Sequence, residues 1–143
     1  IEERAAHRPP LVSGVGVRLP SHLTATGRAI LAALPRNQVR ALYPNRQVFT
    51  DRTGIGPKSP KELEATLTET RRIGFAEEHG DVTPGFDSYA VAGRDYNDLP
   101  IAWLALTFVS GPLRPEQERS LKTKLRLAGA ELSRRLGAVG SLT

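Results

Sequence analysis

From Leu23 onward the chain changes character. The run Thr24-Ala25-Thr26-Gly27-Arg28-Ala29-Ile30-Leu31-Ala32-Ala33-Leu34 is rich in helix formers, opens on hydroxyl residues able to cap a helix, and stops before Pro35. A buried helix is predicted there. Asn37 to Tyr43 makes a second, short helical stretch with Val39, Leu42 and Tyr43 on one side, ended by Pro44-Asn45, and a loop follows to Lys58. Ser59-Pro60-Lys61-Glu62 then combines a capping Ser, Pro at the first helical position and Glu three residues after the cap. The helix it starts keeps Leu63, Leu67, Thr70 and Ile73 on one face until Gly74. Beyond it a strand is predicted over 75 to 78, a turn over Gly80 to Gly85, and strands over 88 to 93 and 101 to 109, paired antiparallel across Asp95-Tyr96-Asn97-Asp98. Gly111-Pro112 breaks the pattern and Pro115 opens a last helix, whose stripe of Leu121, Leu125, Ala128, Leu132 and Leu136 ends at Gly137. Residues 1 to 20 alternate charge, Pro and Gly, which suits an extended arm with an edge strand.

Helices and strands thus come in runs without βαβ alternation, so the fold class is α+β, an antiparallel sheet flanked by helices, and a doubly wound dinucleotide fold is disfavoured. A length of 143 residues is one domain. The absence of Cys excludes disulfides, Cys-ligated zinc, iron–sulfur clusters and thiol nucleophiles. The longest apolar run, Ala29 to Leu34, falls far short of the roughly 20 residues a membrane span needs. Starting at Ile1 with no basic-then-apolar leader, the chain reads as a fragment of a longer cytoplasmic protein.

A net charge of +5 raises the question of nucleic acid, but +4 of it lies between Arg114 and Arg135, on the last helix. No aromatic interleaves those charges to stack on bases, so they read first as the solvated face of an amphipathic helix.

Catalytic constellations are sparse. His7, His22 and His79 are scattered, no Ser has nucleophile-elbow spacing, and Gly54-Ile55-Gly56-Pro57-Lys58 follows no strand and lacks phosphate-loop spacing. Glu77-Glu78-His79-Gly80-Asp81 is the densest polar cluster; Glu78, His79 and Asp81 could serve a small metal- or acid-dependent enzyme, or form a solvated strand-end loop. The start of the first helix, Thr24-Ala25-Thr26-Gly27, offers free backbone N–H groups and the positive end of the helix dipole beside small side chains. Such a site suits a carboxylate, and an ordinary cap packed on a sheet is the alternative.

The stretch Leu19-Pro20-Ser21-His22-Leu23-Thr24-Ala25-Thr26-Gly27-Arg28-Ala29-Ile30-Leu31-Ala32 resembles the "LPLHATALGKALLA" segment of isocitrate-lyase-regulator (IclR) type bacterial transcription regulators. Arg71-Arg72-Ile73-Gly74-Phe75-Ala76 resembles the family's R-x-x-G-Y-A, Pro84-Gly85 its glycine before the next strand, and Val109-Ser110-Gly111-Pro112 its S-V-S-G-P, in the same order. The resemblance implies a GAF-like effector-binding domain spanning the whole of 1–143, truncated at its start, with a winged helix-turn-helix DNA-binding domain upstream and absent here. It implies no catalysis and no cofactor. The implied partners are a small organic or aromatic acid, operator DNA through the missing domain, and further copies in a homodimer or homotetramer, with no membrane.

Carried over residue by residue, the resemblance puts the effector against Thr24, Ala25, Thr26 and Gly27 at the helix start. Glu78 would stand at the rim, Ser88 where the family commonly has Cys, and Thr107 to Ser110 at a strand end. Phe108 stands at or beside a position that is Ser in members binding small keto acids, so Trp103 and Phe108 would line a pocket for a larger or aromatic effector, or belong to the core. A Val at Gly27 is expected to block the ligand while the helix tolerates it. The competing expectation is a GAF-like oligomerisation module with a degenerate pocket.

Overall fold

The computed structural model describes residues 16–138 of the chain. Of the arm predicted to carry an edge strand, only residues 16–20 are described, and they form none. Helix α1 (Ala25–Ala33) is followed by α2 (Arg36–Leu42), α3 (Pro60–Ile73), strands β1 (Ala76–His79), β2 (Phe86–Arg94) and β3 (Pro100–Val109), and α4 (Pro115–Arg135). The predicted loop to Lys58 contains one 3₁₀ turn over Arg46–Val48, capped by the Asn45 side chain.

The terminators act as local chemistry requires. Ser59 Oγ accepts from the Glu62 N–H at 3.3 Å, while the Glu62 carboxylate accepts from the Lys58 N–H at 2.8 Å, one residue earlier than a reciprocal capping box would have it. Gly74 ends α3 at φ +81°, a left-handed conformation that costs a side chain dearly and glycine little.

The sheet has the order β1-β2-β3 and is antiparallel throughout. Because strand side chains alternate, β2 sends Ser88, Ala90 and Ala92 to one face and Tyr89 and Val91 to the other. The first face receives α1 through small residues, with Ala25 and Ala29 against Ala76 and Ala90. The second receives α4, with Leu125 among Phe75, Tyr89 and Val91. A further cluster joins Leu31 and Ala32 of α1 to Val39, Leu63 and Leu67, so α3 holds α1 from behind. The outer strand β3 keeps Ile101, Trp103 and Val109 exposed.

The basic residues of α4 are largely engaged within the domain. Lys122 lies 3.0 Å from Glu77 and 2.6 Å from Glu118, Arg126 donates to the Ile73 carbonyl, and Arg134 and Arg135 both pair with Glu131. Among the described residues no helix is long and apolar enough to cross a membrane.

Candidate functional site

Where α1 begins, a cleft of about 180 Å³ opens between the helix start and the sheet. Thr24 stands at the N-cap, and its Oγ1 accepts from the Gly27 N–H at 3.0 Å. Ala25 and Thr26 also line the cleft, and their amides lie too early in the helix to find an intrahelical acceptor. Their side chains are small because this helix lies on the sheet through alanines, so backbone can be approached closely.

The opposite wall is a row across all the strands. Glu78 on β1 is in register with Ser88 on β2, and Ser88 with Thr107 on β3. Ser88 Oγ donates to Glu78 Oε1 at 2.8 Å and lies 3.0 Å from Thr107 Oγ1. The Asp81 N–H donates to the other Glu78 oxygen at 3.0 Å. Apolar flanks come from Leu19, Val82, Phe86 and Ala105, with Thr83 adding a hydroxyl.

Among the described residues Glu78 is the single charged side chain lining the cleft, and it is only 3% exposed. Burial lifts its carboxyl above the usual carboxylate range, an effect that the Ser88 hydroxyl and the Asp81 amide partly offset. Among the described residues no cation is paired with it, because the nearby Arg28 is turned away and spent. The Arg28 guanidinium donates to the His22 carbonyl and the Glu77 carbonyl, both at 2.8 Å, and is ion-paired with buried Asp81, which also accepts from the His79 N–H at 3.1 Å. A group with a raised folded-state pKa holds its proton more tightly folded than unfolded, so its contribution favours folding at low pH and is lost as pH rises through the folded value. Glu78→Gln should therefore flatten the dependence of stability on pH above the ordinary Glu value of 4.5, with the variant gaining on the parent between pH 4 and pH 7. Urea midpoints of both proteins at the two pH values check it; a constant difference would contradict the assignment.

Thr24, Ala25, Thr26, Glu78, Ser88 and Thr107 thus meet around one cleft. Glu78 is its buried floor rather than its rim. Gly27 stands outside it: its N–H is committed to Thr24, and a Cβ on it would lie 2.3 Å from the Ser21 carbonyl oxygen. Phe108 and Ser110 also fall away, for the reason that alternation dictates. Phe108 is on the α4 face beside Tyr89, with ring centroids 5.2 Å apart, and the Ser110 hydroxyl donates to Asp87 at 2.5 Å. Trp103 is on the α1 face but two positions beyond Ala105, 60% exposed and outside the cleft wall.

Glu78, His79 and Asp81 do not converge as metal ligands. The His79 ring turns to Asp87, 3.2 Å away, on the face opposite Glu78. Among the described residues no group of His, Asp and Glu could hold a metal ion. Nor is this segment a solvated loop, since Glu78 and Asp81 are both buried. His22 is a core residue, its Nε2 2.9 Å from the Thr50 carbonyl and its ring against Tyr43 and Phe49.

Comparison with known proteins agrees with this architecture. Residues 2–134 match the family described as "Bacterial transcriptional regulator IclR C-terminal". The chain is similar to the glycerol operon regulatory protein of Streptomyces coelicolor, 32% identical over 130 residues, covering 87% of this chain and 48% of that protein. It is also similar to the HTH-type transcriptional regulator XynR of Escherichia coli, 30% identical over 125 residues, covering 87% of this chain and 49% of that one. The chain therefore spans about half the length of these curated relatives. Among solved structures, the Agrobacterium tumefaciens repressor BlcR superposes with a TM-score of 0.80 at 28% identity, over 88% of this chain and 51% of that chain.

Proposed function

The chain belongs to the bacterial transcriptional regulator IclR C-terminal family, a family of regulators and not of enzymes, and from that premise we propose that the cleft at the start of α1 binds a small organic acid whose presence alters DNA binding by an attached domain. The observation that carries the reading is convergence. The start of α1 at Ala25 and Thr26, whose amides have no intrahelical acceptor, and the row of Glu78, Ser88 and Thr107 line one cleft with apolar flanks. An acid's carboxylate suits the amide end, where the helix dipole is positive. Its remaining polar atoms suit the far row, where buried Glu78 would take a hydroxyl or hold a proton. A cavity of about 150 Å³ accommodates a benzene ring, so the 180 Å³ here admits a single-ring or short-chain acid.

In this reading a helix-turn-helix domain upstream reads the operator in the cytoplasm, and the domain's contribution is the difference in affinity for the effector between two arrangements of the whole regulator. Assembly into dimers or tetramers belongs to the same reading, supported by the exposed apolar side chains of β3.

Calorimetric titration with a panel of small carboxylic acids tests it. At least one acid should bind saturably, and Ser88→Ala or Thr107→Val should weaken it by about 1 kcal/mol each, the worth of one neutral hydrogen bond. Absence of saturable binding across the panel, or affinity unchanged in both variants, would leave the cleft without this role.

A further inference from the structure

Resting on the reading that the cleft takes an acid's carboxylate at the start of α1, we infer that its row of Glu78, Ser88 and Thr107 selects which second group the acid carries. The row favours a monocarboxylic acid with a hydroxyl at its far end and disfavours a keto acid or a dicarboxylic acid of the same length. What decides between them is the direction of the hydroxyl protons along the row, and the donors and acceptors present fix that direction.

A serine hydroxyl has one proton to give. Ser88 Oγ gives it to Glu78 Oε1 at 2.8 Å. A carboxylate holds that proton more firmly than a hydroxyl would, since a hydrogen bond to an ionised acceptor is roughly twice as strong as a neutral one. The other Glu78 oxygen accepts from the Asp81 N–H at 3.0 Å, a group that can only donate. Both partners thus suit the ionised carboxyl. With the Ser88 proton committed, the 3.0 Å contact between Ser88 Oγ and Thr107 Oγ1 is a hydrogen bond only if Thr107 donates. The three side chains form a directed chain from Thr107 through Ser88 to Glu78, aligned by the register of three paired strands.

Thr107 is the exposed end of this chain. It lines the cleft with lone pairs to offer and its proton already given to Ser88. Glu78 is buried, so it acts on a ligand through the two hydroxyls, as a positioning residue. At the helix start the arrangement is the opposite. Thr24 Oγ1 already accepts from the Gly27 N–H, which leaves the Thr24 proton to donate to a carboxylate. One end of the cleft therefore offers donors and the other an acceptor. A ligand hydroxyl donates to Thr107 Oγ1, whereas a ketone in its place sets lone pair against lone pair, and a second carboxylate adds repulsion from the charge on Glu78.

Calorimetry on the whole chain with two sets of acids, matched in shape within each set, tests this. One set is 5-hydroxyhexanoate, 5-oxohexanoate and glutarate; the other is 4-(1-hydroxyethyl)benzoate, 4-acetylbenzoate and terephthalate. In whichever set binds, the hydroxy acid should bind at least about tenfold more tightly than the keto acid, as expected when a site's acceptor is otherwise left unpaired. The dicarboxylate should be weaker still. Ser88→Ala frees the Thr107 proton, and Glu78→Gln presents an amide N–H to Ser88, which lets the chain run the other way. Each variant should bring the hydroxy and keto acids within about threefold of one another. General damage to the cleft would lower both affinities together and leave their ratio, so the ratio reports the role of the row. A keto acid or dicarboxylate binding the parent as tightly as the hydroxy acid, or a ratio that survives Ser88→Ala, would overturn the inference while leaving the cleft a site for acids. No saturable binding by any of these acids would remove both.

Discussion

Asp81→Ala is expected to cost about 3–5 kcal/mol of folding stability, the range for removing one partner of a buried ion pair. Arg28 is 5% exposed and Asp81 3% exposed, so the guanidinium left behind would have neither carboxylate nor water. Two of its donors would still reach the His22 and Glu77 carbonyls, but neutral acceptors do not balance a buried charge. The loss spreads further, because the Asp81 carboxylate also accepts from the His79 N–H and thereby shapes the turn that delivers the Asp81 N–H to Glu78. Against a typical total of 5–15 kcal/mol, about that much loss leaves a marginal domain. Urea denaturation measures it, and a loss below about 1 kcal/mol would mean that the pair is solvated. Pairing Asp81→Ala with Arg28→Met should recover a large part of the loss, since replacing both members of a buried pair by apolar groups is far milder than orphaning one.

Gly27→Val is expected to abolish folding rather than ligand binding. The added Cβ would sit 2.3 Å from the Ser21 carbonyl oxygen and 2.4 Å from its Cα. Those are backbone atoms, held in a turn in which the Pro20 carbonyl accepts from the Leu23 N–H at 3.0 Å and the Thr24 N–H at 3.3 Å. Overpacking against a side chain costs about 1–3 kcal/mol because the side chain can move. Here the turn itself must shift, and with it the N-cap that orients the helix-start amides. Even Gly27→Ala should lose stability, although alanine brings about 1 kcal/mol of helix propensity. Thermal unfolding checks it: a Gly27→Ala variant melting at or above the parent would show that the turn yields. The sequence-based expectation of a tolerated Val fails because helix propensity ignores what lies across from the glycine.

These two sites show where reading the chain residue by residue succeeds and stops. The sequence alone gives Arg28 no role, whereas the structure buries it, and a buried guanidinium must be supplied with an acceptor. Nothing in the sequence singles out Asp81 from the other carboxylates as that acceptor. In the same way the polar string Glu77 to Asp81 looked like surface, and only its packing under α1 shows that Glu78 and Asp81 are interior while Glu77 and His79 face the other side.

What the sequence determined by itself is what local chemistry specifies. Ser59-Pro60, Gly74, Pro115 and Gly137 mark helix ends through the conformations and donors of single residues, and the helical and alternating periods separate α from β. The order of short motifs was enough to identify the family, since such motifs are contiguous. What the tertiary structure decided is everything that depends on register and face. A shift of one residue in the pairing of β2 with β3 would exchange Thr107 for Phe108 on the cleft wall, and no short-range signal separates those alternatives. Glu78, Ser88 and Thr107 form one row only because antiparallel pairing sums three local choices into a single alignment. Side-chain contacts across strands and between helices are set by the packing of the whole domain, which is why the elements were legible in the chain and the site they build was not.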